Sequence, residues 1–203
     1  EISVIKDELQ YHARGCYTSF SEIKFLNRIA ENKILTAELL ATLNLITNKK
    51  KYPEEEIENN WREILFCHFH DILAGSSIPE GYKDPVRMLG KSILFSRRLI
   101  NENLWYLSKF INTEKEKGFP VLFFNPTSFE REEVKKISFI PRYNFEFSEE
   151  VDFFDEKGKR VFSQSIEDPD SGSKDFLVKV KIPPMGYSVY WWVPSGERRK
   201  NKS

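Results

Sequence analysis

Residues 54–77, EEEIENNWREILFCHFHDILAGSS, predict a helix whose last turns carry an unusual set of side chains. Tyr52-Pro53 precedes three glutamates, so a proline at the first helical position and acids at the positive end of the macrodipole mark the start. Apolar residues then recur at the spacing of one helix face, and Gly75 marks the stop. Beyond Ile64 the polar face disappears, so we expect the last turns to be buried on every side.

Two polar residues lie in that apolar setting, His70 and Asp71. Burying either is costly unless it is paired or bound to a metal ion, and an aspartate near a helix C-terminus has the unfavourable charge. The pattern therefore predicts a functional site, although a histidine that only interacts with the last carbonyls is the alternative for His70. His68 falls on the apolar stripe and is interpreted as a hydrogen-bonded core histidine.

Two further helices are predicted on either side of this one. Ser19-Phe20-Ser21-Glu22 reads as a capping box that starts a long first helix, which ends by residues 48–51. Asp84-Pro85 starts the third helix. Three helices with short connections predict an antiparallel three-helix bundle over residues 1–112.

Residues 113–118 form a predicted linker, where the apolar period changes from about 3.6 to 2. The remainder, residues 119–203, predicts an antiparallel β-sandwich, so that the fold class is α+β, and residues 168–173 are expected to form the most mobile loop. The predicted strands are Val121–Phe124, Glu133–Phe139, Val151–Asp155, Val161–Ile166, Phe176–Ile182 and Ser188–Val193.

Composition excludes several classes of protein. Thirty-one basic and 31 acidic residues give a formal net charge of zero, which indicates no nucleic-acid-binding surface. No apolar run is long enough to span a membrane. The two cysteines form no disulfide framework and fit a cytoplasmic location, while 31% charged residues favour a thermophilic source.

The same stretch carries a family resemblance. Residues 69–77, FHDILAGSS, resemble the FHDILPGSS motif of the retaining class II α-mannosidases, glycoside hydrolase family thirty-eight. Residues 8–19 resemble the family's GEL…RGxYTS segment, although Asp7 stands where that segment has glycine and Ala74 where the first motif has proline. The other segments similar to family motifs are Lys24 to Glu38 (K..NR..E…AE), Tyr52-Pro53 with Trp61, Phe124-Asn125-Pro126 and Pro184-Met185-Gly186-Tyr187.

The resemblance implies a role for four residues. His70 is expected to be one of four ligands of a zinc ion, and Asp71 is expected to hold sugar hydroxyls. Arg14 and Tyr17 are expected to bind substrate at the same pocket. The other ligands, a His-x-Asp pair and a nucleophilic aspartate, come in the family from an N-terminal α/β domain, as does the acid/base carboxylate.

The sequence contains no His-x-Asp. The resemblance therefore implies the middle and early C-terminal part of a mannosidase, inactive alone, whose partners are the N-terminal catalytic domain and an α-mannoside.

Chemistry supports this reading independently. A retaining glycosidase requires two carboxyl groups about 5–5.5 Å apart. Most acids of this chain lie in runs such as Glu54-Glu55-Glu56, which are usually solvated. His68 and His70 are two apart on one predicted helix and point to nearly opposite sides, so only one zinc ligand is available.

Two alternatives remain open. His12 with Cys16, and Cys67 with His70, have the spacing of chelating pairs, so the chain could be a structural or interaction module with a closed Cys2His2 zinc site. Trp191-Trp192 could be a sugar-stacking platform, but alternation places them on opposite sheet faces, which favours packing.

The sequence also predicts how the helix end behaves without its partner domain. Phe66, Phe69 or Leu73 would be left partly exposed, so we expect self-association into a homo-oligomer. The turn at Gly15-Cys16-Tyr17-Thr18-Ser19 is expected to lie near the same helix end.

Overall fold

The computed structural model describes residues 3, 4, 6, 7, 15–113, 118–138, 151–167 and 174–194. Within these residues the chain is α+β, as the periodicity predicts, with helices first and antiparallel strands after them. It divides into two compact units, residues 1–110 and residues 111–203. The predicted loop at residues 168–173 and most of the predicted linker at residues 113–118 lie outside the described residues.

Three long helices form the first unit: α1 (Ser21–Asn48), α2 (Glu54–Phe66) and α4 (Lys83–Ser108). A four-residue helix, α3 (His70–Leu73), and two 3-10 turns, Cys16–Thr18 and Pro79–Tyr82, lie between or before them. One apolar core joins the helices because each contributes a buried stripe to it. The core residues are Ile23, Ala30, Ile34, Ala37, Ala41, Ile57, Ile64, Cys67, Ile72, Leu89, Ile93 and Leu99.

Side-chain contacts give the directions of the long helices. Glu38 of α1 accepts hydrogen bonds from Tyr52 and Trp61, which lie at the start and middle of the next segment. At the far end of α1, buried Asn44 donates to both the side chain and the backbone carbonyl of Asn103 on α4, each at 3.0 Å. Lys50 also donates to the Asn103 side chain at 3.0 Å. The C-terminal ends of α1 and α4 therefore lie together.

The capping box predicted for α1 is wrong. The residue before the helix is Phe20, with φ of 44° and no side-chain cap, so Ser19 does not cap the helix. The Ser19 hydroxyl instead faces backbone carbonyls at residues 74 and 75. The Ser19 side chain, which the local motif predicts to cap the helix, therefore forms a contact with residues distant in sequence.

The helix predicted over residues 54–73 is interrupted. α2 ends at Phe66, Phe69 is extended with ψ of 138°, and α3 begins at His70. The apolar spacing continues through the break, which is why the pattern does not register it. As a result Asp71 lies in the first turn of α3, and the unfavourable placement expected at a helix C-terminus does not occur.

The end of α2 is not buried on every side, which corrects the sequence prediction. Leu65, Phe66 and Phe69 are each more than half exposed, whereas Ile64 and Cys67 are fully buried. The end of α2 is apolar on all sides, and it has one buried face and one apolar face that is exposed to solvent. The exposure of Phe66 and Phe69 agrees with the expectation for a helix end without its partner domain.

Among the described residues of the second unit, seven strands form two antiparallel sheets. One sheet has the order β1 (Phe119–Asn125), β7 (Gly186–Pro194), β3 (Val151–Phe154), β4 (Arg160–Val161). The other has the order β2 (Arg131–Ser138), β6 (Lys174–Ile182), β5 (Ser163–Glu167). One apolar cluster takes residues from both sheets, among them Phe153, Val178, Val180 and Trp192.

The predicted strands match these elements with one exception. The strand predicted over Val161–Ile166 is two strands, because β4 ends at Val161 and β5 starts at Ser163, in different sheets. Trp191 and Trp192 are both buried, which excludes a sugar-stacking platform. Trp192 belongs to the core cluster, and the Trp191 indole donates to the Thr113 carbonyl at 3.0 Å.

The two β-region motifs meet at one corner. Asn125 of the first motif pairs with Gly186 of the second in the β1–β7 register. Its buried amide donates to the carbonyls of Phe129 and Pro183 at 2.7 and 3.0 Å. Met185, with φ of 46°, donates its N–H to the Thr127 carbonyl at 2.8 Å. The motifs therefore close one structural junction.

Candidate functional site

His70 and Asp71 lie at the surface of the first unit. The side chain of His70 is 79% exposed and that of Asp71 is 55% exposed, and His70 Nε2 lies 3.7 Å from Asp71 Oδ2. That separation is too long for a hydrogen bond. Both polar groups are therefore directed to solvent, and the imidazole can bind an additional group.

An exposed apolar surface adjoins this pair, formed by Leu65, Phe66 and Phe69. The rings of Phe69 and His70 lie 4.2 Å apart at 41°. Phe66 is 58% exposed and Phe69 52%. Each large apolar side chain left in water forgoes roughly 1.5–3 kcal/mol of burial, so these three residues are candidates for a contact surface.

The turn before α1 contacts the end of α3, as the sequence predicts. Ser19 Oγ lies 3.0 Å from the Gly75 carbonyl oxygen and 2.7 Å from that of Cys16. Tyr17 lies in the 3-10 turn Cys16–Thr18, so its backbone is beside this contact, while its side chain and all of Arg14 lie outside what the structure describes. The structure brings the Tyr17 segment to the His70 segment and does not test the side-chain roles.

Gly75 permits this close approach. Its φ is +83°, and a Cβ at this position would lie 2.4 Å from Ser19 Oγ and 2.7 Å from the Ser19 carbonyl oxygen. Only glycine combines that backbone conformation with the absence of a side chain.

Lys24, in the first turn of α1, completes the contact. Its ammonium donates to the Ser19 carbonyl and lies 3.3 Å from the Ala74 carbonyl oxygen. The local sequence predicts only a capping role for Ser19 and no contact for Lys24. Both residues fall within the family motifs, which was the available signal.

His68 lies on the other side of the α2–α3 junction. Its Nε2 is 3.1 Å from Glu31 Oε1 of α1, and its side chain is partly exposed. His68 thus pairs with Glu31 of α1 at the partly exposed edge of the core, whereas the stripe predicts a hydrogen-bonded core histidine. His68 and His70 face different surroundings, which agrees with their expected divergence.

Cys67 is fully buried and its thiol lies 3.8 Å from the Pro85 carbonyl. Burial, and secondly the Glu63 carboxylate, raise the pKa of the Cys67 thiol to about 11. A zinc ligand must be a thiolate. Cys67 directly follows α2 and His70 begins α3, so they do not form a chelating pair on one helix turn.

Among the residues that the structure describes, no three His, Cys, Asp or Glu side chains lie close enough to hold a metal ion. None of the described helices combines the length and the hydropathy that crossing a membrane requires. The arrangement therefore offers one exposed imidazole, one exposed carboxylate and an adjoining apolar surface, which can complete a site only with further groups.

Comparison with known proteins identifies relatives of the helical unit. The family described as alpha mannosidase middle domain matches residues 10–107. The alpha-mannosidase of Saccharomyces cerevisiae is 37% identical over 101 residues, which cover 48% of this chain and 9% of the yeast protein. Alpha-mannosidase 2C1 of Homo sapiens is 37% identical over 71 residues, 34% of this chain and 7% of the human protein. The chain thus spans less than a tenth of these relatives.

Solved structures share the fold. A protein in glycosyl hydrolase family 38 from Enterococcus faecalis superposes with a TM-score of 0.72 at 17% identity, over 91% of this chain and 26% of that one. An alpha-mannosidase from Enterococcus faecalis V583 gives a TM-score of 0.68 at 18% identity, over 90% and 24% of the two chains. Both matches extend across the helical and the β units.

Proposed function

The chain contains a middle domain of the α-mannosidase family, at residues 10–107, and on this premise we propose that it supplies part of a composite α-mannosidase site. His70 would provide a zinc ligand, and Asp71, Tyr17 and Arg14 would contact the sugar. A catalytic α/β domain, in the same or a separate polypeptide, would complete the site.

One observation carries the proposal: His70 and Asp71 are exposed beside an exposed apolar surface. A histidine retained only for packing would be buried or bonded within its own fold, whereas here the imidazole is 79% exposed. Docking of another domain on Leu65, Phe66 and Phe69 would remove the apolar surface from water. It would also bring further ligands to His70.

The donor set fits zinc as one member of a larger set. Imidazole is a preferred zinc ligand, and a catalytic site requires about three protein ligands with one position open. When bound, the metal would supply Lewis-acid polarisation of substrate oxygens. The part left to this chain is to present the His70 ring outward, and to place the Asp71 carboxylate where it accepts hydrogen bonds from sugar hydroxyls.

Retaining hydrolysis needs a nucleophilic carboxylate and an acid/base carboxyl group on opposite sides of the glycosidic bond. Asp71 alone cannot supply both. We therefore assign these roles to the partner domain, and we assign α-mannosides as the substrate class because the relatives are alpha-mannosidases.

The architecture supports an extension of this proposal. The helical unit would be the family's three-helix bundle, and the β unit would begin its β-sandwich region, since both sheets contribute to one apolar cluster. The protein would act in the cytoplasm, where its two cysteines remain free thiols.

The alternative is a structural module with a closed Cys2His2 zinc site. The break between Cys67 and His70 counts against it, because it separates the members of one chelating pair. It predicts tight stoichiometric zinc in the chain alone, lost on Cys16→Ser. Our proposal predicts weak zinc binding, unaffected by that change. Elemental analysis after dialysis against a chelator distinguishes the two.

Hydrolysis of an aryl α-mannoside tests the composite site. The 203-residue chain should be inactive alone and active once joined to, or co-expressed with, an α/β domain that carries His-x-Asp and the nucleophilic aspartate. In the assembled enzyme, His70→Ala and Asp71→Asn should each reduce kcat/KM at least about a hundredfold. Glu58→Gln, on the exposed face of α2, is the control. Robust hydrolysis by the isolated chain, or full activity of both variants, would refute the proposal.

A further inference from the structure

We propose that Lys24 and Ser19 are positioning residues, whose ammonium and hydroxyl hold the turn at residues 15–19 against the end of α3. The turn carries Tyr17 and follows Arg14, and α3 carries His70 and Asp71. The two side chains would thus fix how the two segments of the composite site are placed. What the site then does rests on the function proposed above.

Four backbone carbonyl oxygens surround the two donor groups. Ser19 Oγ lies 2.7 Å from Cys16 O, 3.0 Å from Gly75 O and 3.4 Å from Ala74 O. Lys24 Nζ donates to Ser19 O and lies 3.3 Å from Ala74 O. A hydroxyl has one proton and cannot serve three carbonyls at once, whereas an ammonium has three. Lys24 therefore supplies a donor to the Ala74 carbonyl, the most distant of the three from the hydroxyl.

The carbonyls at residues 74 and 75 need external donors because a helix leaves its last carbonyl groups without intrahelical partners. Hydrogen bonds from a charged donor are stronger than neutral ones. Lys24 donates to the Ala74 carbonyl from the first turn of α1, where it follows the fully buried Ile23, and the Gly75 carbonyl accepts from the Ser19 hydroxyl. The core of the helical unit therefore fixes the backbone next to Lys24, and the ammonium holds the turn at residues 15–19 against the end of α3.

At the end of α3, Gly75 leaves the space that the Ser19 and Lys24 side chains occupy. A Cβ there would lie 2.7 Å from the Ser19 carbonyl oxygen and 2.9 Å from Lys24 Nζ, so a side chain at residue 75 would press on the backbone of the turn and displace the ammonium. The approach of the two segments is therefore specific to this pair of donors and this glycine.

A second contact, through Phe20 and Tyr82, joins the start of α1 to the residues that follow Gly75. Phe20, directly after Ser19, stacks on Tyr82 with ring centroids 3.9 Å apart. The Tyr82 hydroxyl accepts a hydrogen bond of 2.9 Å from the Ser77 N–H. This aromatic contact holds the chain on the far side of Gly75 and should preserve the overall fold when Lys24 or Ser19 is changed.

Amide hydrogen exchange on the 203-residue chain tests the positioning role. Lys24→Met should increase exchange in residues 70–77 at least about tenfold, because a hydrogen bond to a charged group is lost. Ser19→Ala should act in the same direction. Lys24→Arg, which retains the charge, should restore at least part of the protection. The control is Lys33→Met, the same chemical change further along α1. Exchange in Lys24→Met equal to that control would overturn the proposal.

The assembled enzyme separates positioning from function. If the composite site is correct, Lys24→Met should raise KM for an aryl α-mannoside about tenfold or more, with a smaller fall in kcat, because the sugar-contacting segments are misplaced. An unchanged KM would overturn the link to the site. Absence of hydrolysis by the wild-type assembly would refute the proposed function, while the exchange result would still decide the positioning role.

Discussion

Gly75 illustrates how one residue joins two distant parts of the helical unit. Its positive φ turns the chain at the end of α3, and its missing side chain admits Ser19 and Lys24. The FHDILAGSS pattern predicts a helix stop at this glycine but not the contact, because nothing in the local sequence shows which segment will approach. His70 and Asp71 were identified from their apolar setting, although that setting is itself an exposed face and not a core.

At Gly75 we expect a large loss of stability on substitution by alanine. The left-handed backbone costs an L-residue roughly 1–2 kcal/mol, and overpacking against the Ser19 carbonyl adds roughly 1–3 kcal/mol. Urea denaturation measures the difference. Gly15→Ala is the matched control, since its φ is +84° but the nearest atom, Thr18 Oγ1, is 3.7 Å away. Equal losses for the two variants would contradict the contact.

Cys67 should make stability depend on alkaline pH. Because its pKa is raised from 9.0 to about 11, the unfolded chain loses the thiol proton before the folded chain does. Its contribution to stability is therefore complete below pH 9 and is lost as the pH rises towards 11. Free energies of unfolding in urea, measured at several pH values, should fall more steeply for the parent than for Cys67→Val. Parallel curves would refute this expectation.

Among the elements, α1 and α4 were predicted most closely and the α2–α3 junction least. Long helices have clear apolar periods, so α1 ends at Asn48 as the pattern predicts. The break after Phe66 preserves the apolar spacing, which makes it invisible to a periodicity argument. Likewise the change of sheet at Phe162 lies within one alternating run, because alternation does not specify which partner a strand pairs with.

The buried amide pair at the C-terminal ends of α1 and α4 should be sensitive to mutation. Asn103→Ala keeps the backbone carbonyl that accepts from Asn44 but removes the side-chain oxygen that accepts from Asn44 and Lys50, so one N–H of the buried Asn44 amide loses its acceptor. Each unsatisfied buried group costs about 1–3 kcal/mol, so we expect a loss of at least about 2 kcal/mol in the free energy of unfolding. Asn101→Ala, on the exposed face of the same helix, should change it by less than about 0.5 kcal/mol. A loss as small as the control's would disprove the role of the pair.

Across the whole molecule, the comparison with relatives and the exposed apolar surface beside His70 both support a composite site that a further domain completes. The helical unit matches a domain family, while the chain spans only 9% of the yeast relative. The apolar side chains beside His70 are those that a further domain would cover. The sequence could indicate this surface because it lacks polar residues, but it could not distinguish burial within the unit from burial by a partner, since both require the same composition.

We expect the 203-residue chain to self-associate through this surface. Sedimentation velocity at increasing concentration should show a reversible shift to larger species, because burial of Phe66 and Phe69 is favourable at roughly 25 cal/mol per Å². Phe66→Glu should abolish the shift. Phe162→Glu, an equally apolar and exposed position of the β unit, should leave it unchanged. Association that persists in Phe66→Glu would assign it to another surface.

The position of β7 sets the order in which the β unit can be made during synthesis. β7 pairs on one side with β1 and on the other with β3, yet it follows both in the chain, with Phe119 opposite Trp192. Until residues 186–194 have been synthesised, the strand that lies between β1 and β3 is missing, and these two strands cannot form one sheet. The helical unit precedes the sheet in the chain and can fold while translation continues, so a newly made chain should have a completed helical unit while this sheet is still open.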